Sequence, residues 1–337
     1  FMVMEPSRNP TILPRSQHPI SRKNIDPDVL KVMYRLKKYG YLTYLVGGCV
    51  RDFLLGRLPR DFDIGTDARP NQVKKLFRNC YLVGRRFRLA HIRFQENKVV
   101  EVATFRRQPH PEEEIADETL KDARYRRENI FGTPEEDAWR RDFTVNALFY
   151  DLATFAVIDH VGGLQDLESR VVRTIGNPDE RFAEDPVRML RALEFAARLN
   201  FTLASVDRET ILRQAPLIAL ASPARLWEEI LALFRYGVSA SVLQDAYKMG
   251  LFFHLFPGFE EDDRLWRLLK KLDEKTLQGL PQEEPLVLVS LCLLSLFSHF
   301  PRQGAEKKEL QEVEPFIEKA LLPLVQRYPI SSRLQRQ

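Results

Sequence analysis

The chain has 337 residues, of which 44% are hydrophobic and 29% are charged, and its formal net charge is +4. These proportions are ordinary for a soluble globular protein, and the length allows two or three domains. The three cysteines, Cys49, Cys80 and Cys292, have no paired or metal-ligand spacing, which argues against a disulfide framework or a zinc site.

The sequence contains no pattern typical of a membrane protein. Its first residues lack the apolar core of a signal peptide. The most apolar stretch, 286–297, contains serines and is too short to span a bilayer, so it indicates a buried helix. We therefore expect a cytoplasmic protein that does not contact a membrane.

The first predicted elements lead into a glycine turn. Residues 1–24 contain proline and arginine without periodicity, which predicts a mobile arm. Asp26-Pro27 begins a predicted helix that ends at Gly40. The strand-like YLTYLV follows and runs into Gly47-Gly48.

Residues 45–66, LVGGCVRDFLLGRLPRDFDIGT, combine two features that suit a metal–nucleotide complex. A glycine turn that opens a helix directs backbone N–H groups at an anion such as phosphate. Asp61 and Asp63 are two residues apart on a predicted strand, so they share a face, which is costly for like charges unless a cation lies between them. Each feature alone is more often an ordinary turn or a solvated carboxylate. Their combination in one supersecondary unit, with Arg51 in the first helical turn, favours a binding site.

The next segment predicts a sheet backed by helices. A helix follows at NQVKKLFRN, and then come strand patterns at CYLVG, RLAHIRFQ and KVVEVATF. This order suggests an α/β or α+β head domain with a mixed sheet. Glu101 lies among apolar residues of the last strand. The pattern leaves open whether it is a third carboxylate at the metals or faces solvent.

A charged loop is predicted over 107–128, and helical periodicity over 135–151, EEDAWRRDFTVNALFYD. Arg141 and Asp142 in this segment could form an ordinary ion pair or could bind a triphosphate or ribose. FAVIDHVGG predicts the last strand of the head. The arginine clusters at 85–93, 106–107, 124–127 and 140–141 suit phosphate-rich partners, although solvated surface charge is the alternative.

A polar helix face is predicted after the head. Asp185-Pro186 has the form of a helix start, and Arg188 and Arg191 recur at spacings of three. Asp185 could therefore be only a helix cap. Alternatively, Asp185 and Arg188 could bind the hydrogen-bonding edge of a base. From Ser222 onward the patterns are helical and show no fixed repeat, and they suggest a packing body without catalysis.

The motifs together resemble the class II nucleotidyltransferases, which comprise the tRNA CCA-adding enzymes and the bacterial poly(A) polymerases. LVGGCVRDFLLGRLPRDFDIGT resembles the head motif of that family, RRDFTVNAL its second motif, and EDPVRMLRA its nucleobase-recognition motif. SPARLWEEI is similar to the helix that follows. The resemblance covers about residues 25 to 260. LVGRRFRLAHIRF and ENIFGTPEEDAWRRDF favour the poly(A) polymerase branch.

This resemblance implies an α+β, mixed-sheet head domain followed by all-α neck and body domains. The implied divisions are an arm at 1–24, a head at 25–165, a neck at 166–222 and an RNA-binding body at 223–337. It further implies addition of AMP from ATP to the 3′ ends of RNA, mRNA or tRNA, without a template and with release of pyrophosphate. We expect a monomer. The alternatives are a tRNA nucleotidyltransferase that adds CCA, CC or A, and a non-catalytic RNA-binding protein with this fold.

The resemblance also implies roles for individual residues. Two Mg²⁺ ions would be held by Asp61 and Asp63, and Glu101 matches a third acidic position in catalysis. The positions that match nucleotide-binding residues of the family are Gly47, Gly48, Arg51, Arg141, Asp142, Asp185, Arg188 and Arg191. Glu194 departs from the family, which commonly has an arginine there, and this puts one nucleotide or neck contact in doubt.

Overall fold

A computed structural model describes residues 9–84, 88–108, 130–257, 263–280, 282–284 and 324–330, together with 287, 290 and 322. The chain forms two compact units. The first extends to Ser169 and includes Arg173–Gly176, and the second contains Arg170–Val172 and the residues from Asn177 onward. The predicted boundaries of arm, head, neck and body stay predictions. Several predicted features lie outside the described residues: Arg85, Arg86, Cys292, most of the charged loop and most of the last two helices.

The first unit is built on an eight-stranded sheet with the strand order β1-β8-β7-β2-β3-β6-β5-β4. Its strands are β1 (Thr11–Leu13), β2 (Thr43–Val46), β3 (Asp63–Thr66), β4 (Cys80–Val83), β5 (Leu89–Arg93), β6 (Val99–Thr104), β7 (Leu148–Asp151) and β8 (Val157–Asp159). β3 and β6 run parallel, whereas the other neighbouring pairs are antiparallel. The predicted mixed sheet is therefore confirmed.

Five helices accompany this sheet within the described residues. They are α1 (Pro27–Lys38), α2 (Gly48–Leu54), α3 (Pro70–Leu76), α4 (Pro134–Trp139) and α5 (Gly163–Ser169). Asp26 caps α1 as the sequence predicts, because its carboxylate accepts a hydrogen bond from the backbone N–H of Asp28. The face that carries Ile64, Ile92 and Val102 is buried, and α3 packs against β4, β5 and β6.

The opposite face has two different halves. Over β2, β7 and β8 it is covered by a buried cluster that contains Val46, Phe105, Ala138 and Phe149. We call this the covered half. Over β3, β6, β5 and β4 the same face carries exposed side chains, and we call it the open half. The two halves meet at Gly65, where an added Cβ would lie only 2.5 Å from Cε1 of Phe105.

The second unit is mainly helical. Its helices are α6 (Pro178–Glu184), α7 (Val187–Leu199), α8 (Ser205–Gln214), α9 (Pro223–Tyr236), α10 (Ser239–Lys248), α11 (Leu251–Leu255) and α12 (Asp263–Leu277). Two short parallel strands, β9 (Val171–Val172) and β10 (Thr202–Leu203), accompany them. The predicted helical character of this half is confirmed over the described residues. None of the described helices is long and apolar enough to cross a membrane.

Two predicted elements differ from the structure. Residues 11–20 are not a mobile arm, since β1 pairs with β8 and both His18 and Ile20 are buried. The His18 ring nitrogens lie 2.9 Å from the Phe155 carbonyl oxygen and 3.2 Å from the Ile20 backbone nitrogen, which fixes this segment on the head. The helix predicted over 135–151 is also wrong beyond Trp139. The segment LFYD of that region is the central strand β7, because a short apolar run fits a buried strand as well as a helix.

Candidate active site

The parallel pairing of β3 and β6 brings two predicted site residues together. Asp63 is the register partner of Glu101, so both side chains lie on the open half. Asp61 precedes β3, although the sequence placed it on the strand. Partial desolvation raises the pKa of Asp63, and the nearby carboxylates of Glu101 and Asp61 raise it further, while Arg141 acts in the opposite direction. Three acidic groups and one guanidinium therefore influence one another at this point.

His91 is a neighbour of Glu101 that the sequence reasoning missed. The two residues are register partners on β5 and β6, and Nε2 of His91 lies 3.3 Å from Oε1 of Glu101. The alternation of apolar residues in RLAHIRF is the signal that could have placed His91 on the carboxylate face. The pairing gives the position of Glu101, while its role as a third carboxylate at the metals stays a prediction. Glu101 is partly exposed, and it lies beside Asp63 rather than away from it.

The glycine turn that opens α2 has a backbone conformation that favours glycine. Gly47 has a φ of +76°, a conformation that side chains other than glycine rarely adopt. A Cβ at Gly47 would also lie 3.0 Å from Nη1 of Arg141. Gly48 begins α2 directly after it. The turn therefore allows the Arg141 guanidinium to approach the backbone closely.

Asn146 connects the predicted arginines, and the sequence reasoning assigned it no role. The buried Arg51 guanidinium donates a hydrogen bond to the Asn146 side-chain oxygen and also binds Asp52. Arg141 donates to the Asn146 backbone oxygen at 3.2 Å. Asn146 belongs to RRDFTVNAL, so the motif contained the signal. Its amide nitrogen lies 3.5 Å from a carboxylate oxygen of Asp142, which places Asp142 on the same network.

Arg141 forms an ion pair with an acidic residue of α4. Its Nε and Nη2 donate to the Oδ2 atom of Asp137 at 3.2 and 3.0 Å. The ion pair considered from the sequence was with Asp142, whereas this one is with Asp137. The same side chain also faces the Gly47 turn and acts on Asp63. Asp137 therefore orients the Arg141 guanidinium, and the binding of a triphosphate or ribose by Arg141 stays a prediction.

Hydrogen bonds to Asp166 and Arg173 hold the Asp142–Asn146 segment in place. Thr144 donates a hydrogen bond from its hydroxyl to Asp166 of α5 at 2.7 Å. Arg173 binds both oxygens of the same carboxylate, and its backbone oxygen accepts from the Thr144 N–H. Gly163 is packed so closely that a Cβ there would lie 2.3 Å from the Thr144 oxygen. These contacts fix the segment that carries Asn146.

Cys49 lies beside the carboxylates without being available as a nucleophile. It is buried on α2, and burial raises the pKa of its thiol to about 12, with the Asp63 carboxylate adding to the increase. Its sulfur donates a hydrogen bond to the Val46 carbonyl oxygen at 3.3 Å. Since the reactive form is the thiolate, Cys49 has a packing role.

Asp185 and Arg188 belong to the second unit, at the junction of α6 and α7. Asp185 is not the side-chain cap of α7 that its position before Pro186 suggested, since the helix cap is Pro186 and Asp185 ends α6. Instead its carboxylate accepts a two-point hydrogen bond from Arg225 of α9 at 2.9 and 2.7 Å. Arg188 donates to the Arg181 carbonyl oxygen and to Glu184, and its Nε lies 4.0 Å from Asp185.

Arg191 and Glu194 also have structural partners. Nη1 of Arg191 donates to Glu229 of α9 at 3.0 Å. Glu194 is buried and forms an ion pair with Arg198 one turn later on α7. Glu194 therefore has an ion-pair partner within its own helix, while the loss of a nucleotide or neck contact at this position stays a prediction.

The carboxylates suit a magnesium ion that shares its ligands with a substrate. Within the described ranges, no group of three or more His, Cys, Asp and Glu residues is arranged to hold a metal ion. Mg²⁺ commonly takes only one or two protein carboxylates and completes its shell with water and substrate phosphates. Asp61 and Asp63 could supply such oxygen ligands; the pKa of Asp63 is raised mainly by desolvation and further by the carboxylates of Glu101 and Asp61, whose repulsion a cation would relieve.

Comparison with known proteins agrees with these features. Residues 43–173 match the family described as the poly A polymerase head domain. Residues 200–263 match the family described as “Probable RNA and SrmB- binding site of polymerase A”. The chain is 54% identical over 251 residues to the poly(A) polymerase I of Salmonella typhi, covering 73% of this chain and 53% of that protein.

CCA-adding enzymes are more distant relatives. The one from Geobacillus kaustophilus is 37% identical over 238 residues, which cover 71% of this chain and 56% of that protein. A crystal structure of the Bacillus stearothermophilus CCA-adding enzyme in complex with CTP superposes with a TM-score of 0.62 at 27% identity, covering 93% of this chain and 82% of that one. The chain spans about half the length of the curated relatives it matches.

Proposed function

We propose that the chain is a polynucleotide adenylyltransferase of the tRNA nucleotidyltransferase and poly(A) polymerase family, which its matches to two poly(A) polymerase family models and to the Salmonella enzyme support. It transfers AMP from ATP to the 3′-hydroxyl of RNA and releases pyrophosphate. The observation that carries this proposal is the register of β3 and β6, which pairs Asp63 with Glu101 next to Asp61 and Arg141. Clustered carboxylates beside a guanidinium suit a metal-bound triphosphate.

In this proposal Asp61 and Asp63 hold Mg²⁺, and Glu101 adds negative charge beside them. When bound, Mg²⁺ activates the attacking oxygen and neutralises charge on the phosphates. Phosphoryl transfer needs little covalent chemistry from the protein, so positioning and charge are its main contributions. This agrees with the raised pKa of Cys49, which leaves that thiol unreactive.

The glycine turn and Arg141 orient the triphosphate. Gly47 permits the close approach of Arg141, whose guanidinium can bind phosphate oxygens in a fixed geometry. Arg51 acts through Asn146, because its guanidinium is buried against that side chain. Asp142, on the same network, is the proposed ribose contact.

In the second unit, Asp185 and Arg188 are the proposed contacts of the adenine base. A carboxylate accepts from the adenine amino group and a guanidinium donates to a ring nitrogen. Arg225 fixes the Asp185 carboxylate by two hydrogen bonds, which would present it in one orientation. Replacement of Arg188 by Ala should reduce the preference for ATP over CTP. An unchanged preference would contradict this assignment.

A tRNA nucleotidyltransferase is the second candidate, since a CCA-adding enzyme is 37% identical. The test is to incubate the chain with Mg²⁺ and ATP, CTP or both, on tRNA and on an unrelated RNA. A long adenylate tail on the unrelated RNA with ATP alone supports the proposal. Incorporation of C into tRNA supports the alternative, and absence of pyrophosphate release under every condition would favour a non-catalytic RNA-binding protein. A monomeric state and a cytoplasmic location remain expectations.

A further inference from the structure

The open half extends the carboxylate site toward the outer edge of the sheet. The register pairs Asp63 with Glu101, Glu101 with His91, and His91 with Tyr81. Since directly paired residues share a face, these four side chains form one row across β3, β6, β5 and β4. Neighbouring strands are about 4.8 Å apart, so the row is about 14 Å long.

The row changes from acidic to aromatic and basic as it approaches the edge strand β4. Tyr81 is 55% exposed on that strand. The Arg93 guanidinium carbon lies 4.9 Å from the centre of the Tyr81 ring. Arg93 is two residues beyond His91 on β5, so it lies on the same face. An exposed aromatic ring beside an arginine on an open sheet can stack on a nucleobase and bind the adjoining phosphate.

The surrounding charge also suits a nucleic acid. β4 and β5 contain no Asp or Glu, and exposed Arg78 and Arg88 flank the two strands. Basic groups attract the phosphate backbone regardless of sequence. Exposed Val83 and Val99 add apolar surface on the same face. The only acidic member of the row outside β3 is Glu101, at the end nearest the candidate metal site.

We propose that the open half binds the single-stranded RNA whose 3′ end is extended. Tyr81 stacks on a base a few nucleotides upstream of that end, and Arg93 holds a neighbouring phosphate. This inference rests on the proposed function, because it assigns the RNA path that leads to the same carboxylates. A protein partner on this face would instead leave RNA binding unaffected by Tyr81.

The first test measures RNA affinity without catalysis. A fluorescein-labelled oligoadenylate of about 15 nucleotides is titrated with the full chain, with Mg²⁺ and ATP left out, and followed by fluorescence anisotropy. Tyr81→Ala should raise the Kd roughly tenfold, while Tyr81→Phe stays within about twofold of the original chain. The matched control is Tyr39→Ala, which removes a tyrosine that is 57% exposed in the same unit. A Kd for Tyr81→Ala equal to that of Tyr39→Ala would overturn the proposal.

The second test uses extension kinetics and separates the two proposals. With the long primer, Tyr81→Ala should raise the KM for RNA while kcat and the KM for ATP stay unchanged. With a dinucleotide primer, too short to reach Tyr81, the variant should match the original chain. A higher KM for ATP would place Tyr81 in the nucleotide site and overturn the inference. If the original chain extends no RNA, the proposed function fails, whereas anisotropy still tests the RNA path.

The third test concerns the phosphate contact. Arg93→Gln should reduce the slope of log affinity against log salt by roughly 0.7, the value for one phosphate contact on a single strand. An unchanged slope would contradict a phosphate contact at Arg93. Because Arg93 is exposed, this variant remains informative even if Tyr81→Ala proves unstable.

Discussion

The covered half and the open half belong to one face of one sheet, yet the first buries apolar side chains and the second exposes polar ones. In the covered half, Val46 and Phe149 are buried under Ala138 and Phe105. In the open half, the paired positions carry Asp63, Glu101 and other polar groups that water can reach. Burial stabilises the fold, whereas exposed, mutually repelling carboxylates do not. Stability and proposed catalysis are therefore separated along the strands of a single sheet.

The largest expected effect is the loss of activity on removal of a carboxylate from the open half. Asp63→Ala should lower adenylate incorporation by roughly a thousandfold or more, because the metal ligand supplies several kcal/mol of transition-state stabilisation. The midpoint of thermal unfolding should stay unchanged or rise. The measurement is ATP incorporation into RNA beside a melting curve, with the exposed Asp67→Ala as the control. Near-normal incorporation by Asp63→Ala would refute the metal assignment.

A substitution in the covered half should lower the stability of the fold. Phe149→Ala removes a fully buried ring and should lower the free energy of unfolding by about 3–5 kcal/mol. Val99→Ala, on the open half, should change it by less than about 0.5 kcal/mol. Urea denaturation measures both variants. If the two losses were equal, the distinction between the halves would be wrong.

Gly65 tests the border between the halves. A Cβ at this position would lie 2.5 Å from Phe105 and 2.9 Å from Val46, so Gly65→Ala should destabilise the first unit by about 1–3 kcal/mol. Shortening Phe105 should relieve the clash. The effects of Gly65→Ala and Phe105→Leu should therefore not add in the double variant. If the losses of stability were additive, the clash with Phe105 would not be the cause of the destabilisation by Gly65→Ala.

The smallest expected effect is a pH dependence of stability at Asp63. Its pKa is raised in the folded state, so the folded chain binds more protons than the unfolded chain between the two pKa values. Stability therefore falls as the pH rises above the ordinary aspartate pKa and through the raised value. Asp63→Asn should remove this loss and raise the Tm at neutral pH by about 1–2 °C, a small change because the group is exposed. Thermal unfolding in the presence of EDTA measures the Tm of both chains. Added Mg²⁺ should reduce the difference in Tm between the original chain and Asp63→Asn. A lower Tm for Asp63→Asn would contradict the sign.

Local patterns predicted the parts of the site that depend on short spacings. The glycine pair predicted the turn at Gly47. The two-residue period placed Asp61 and Asp63 together on a strand, whereas only Asp63 belongs to β3. Contacts between distant segments could not be predicted from local patterns, because strand order and helix packing bring together residues that are far apart in the sequence. Two such contacts are the pair of His91 and Glu101 and the pair of Arg225 and Asp185. The strand β7 was mistaken for a helix because its residues are buried on both faces and show no alternation.

The strand order also has a consequence for how the head folds during synthesis. β2 lies between β3, its neighbour along the chain, and β7, which is paired through Tyr44 and Asp151. β1 pairs with β8 through Thr11 and Asp159. Such non-local pairing gives a high contact order, which slows folding. A nascent chain that ends before Leu148 would leave β2 as an open edge, and unpaired strand edges are prone to aggregation. The head can therefore complete its sheet only after β7 and β8 have left the ribosome.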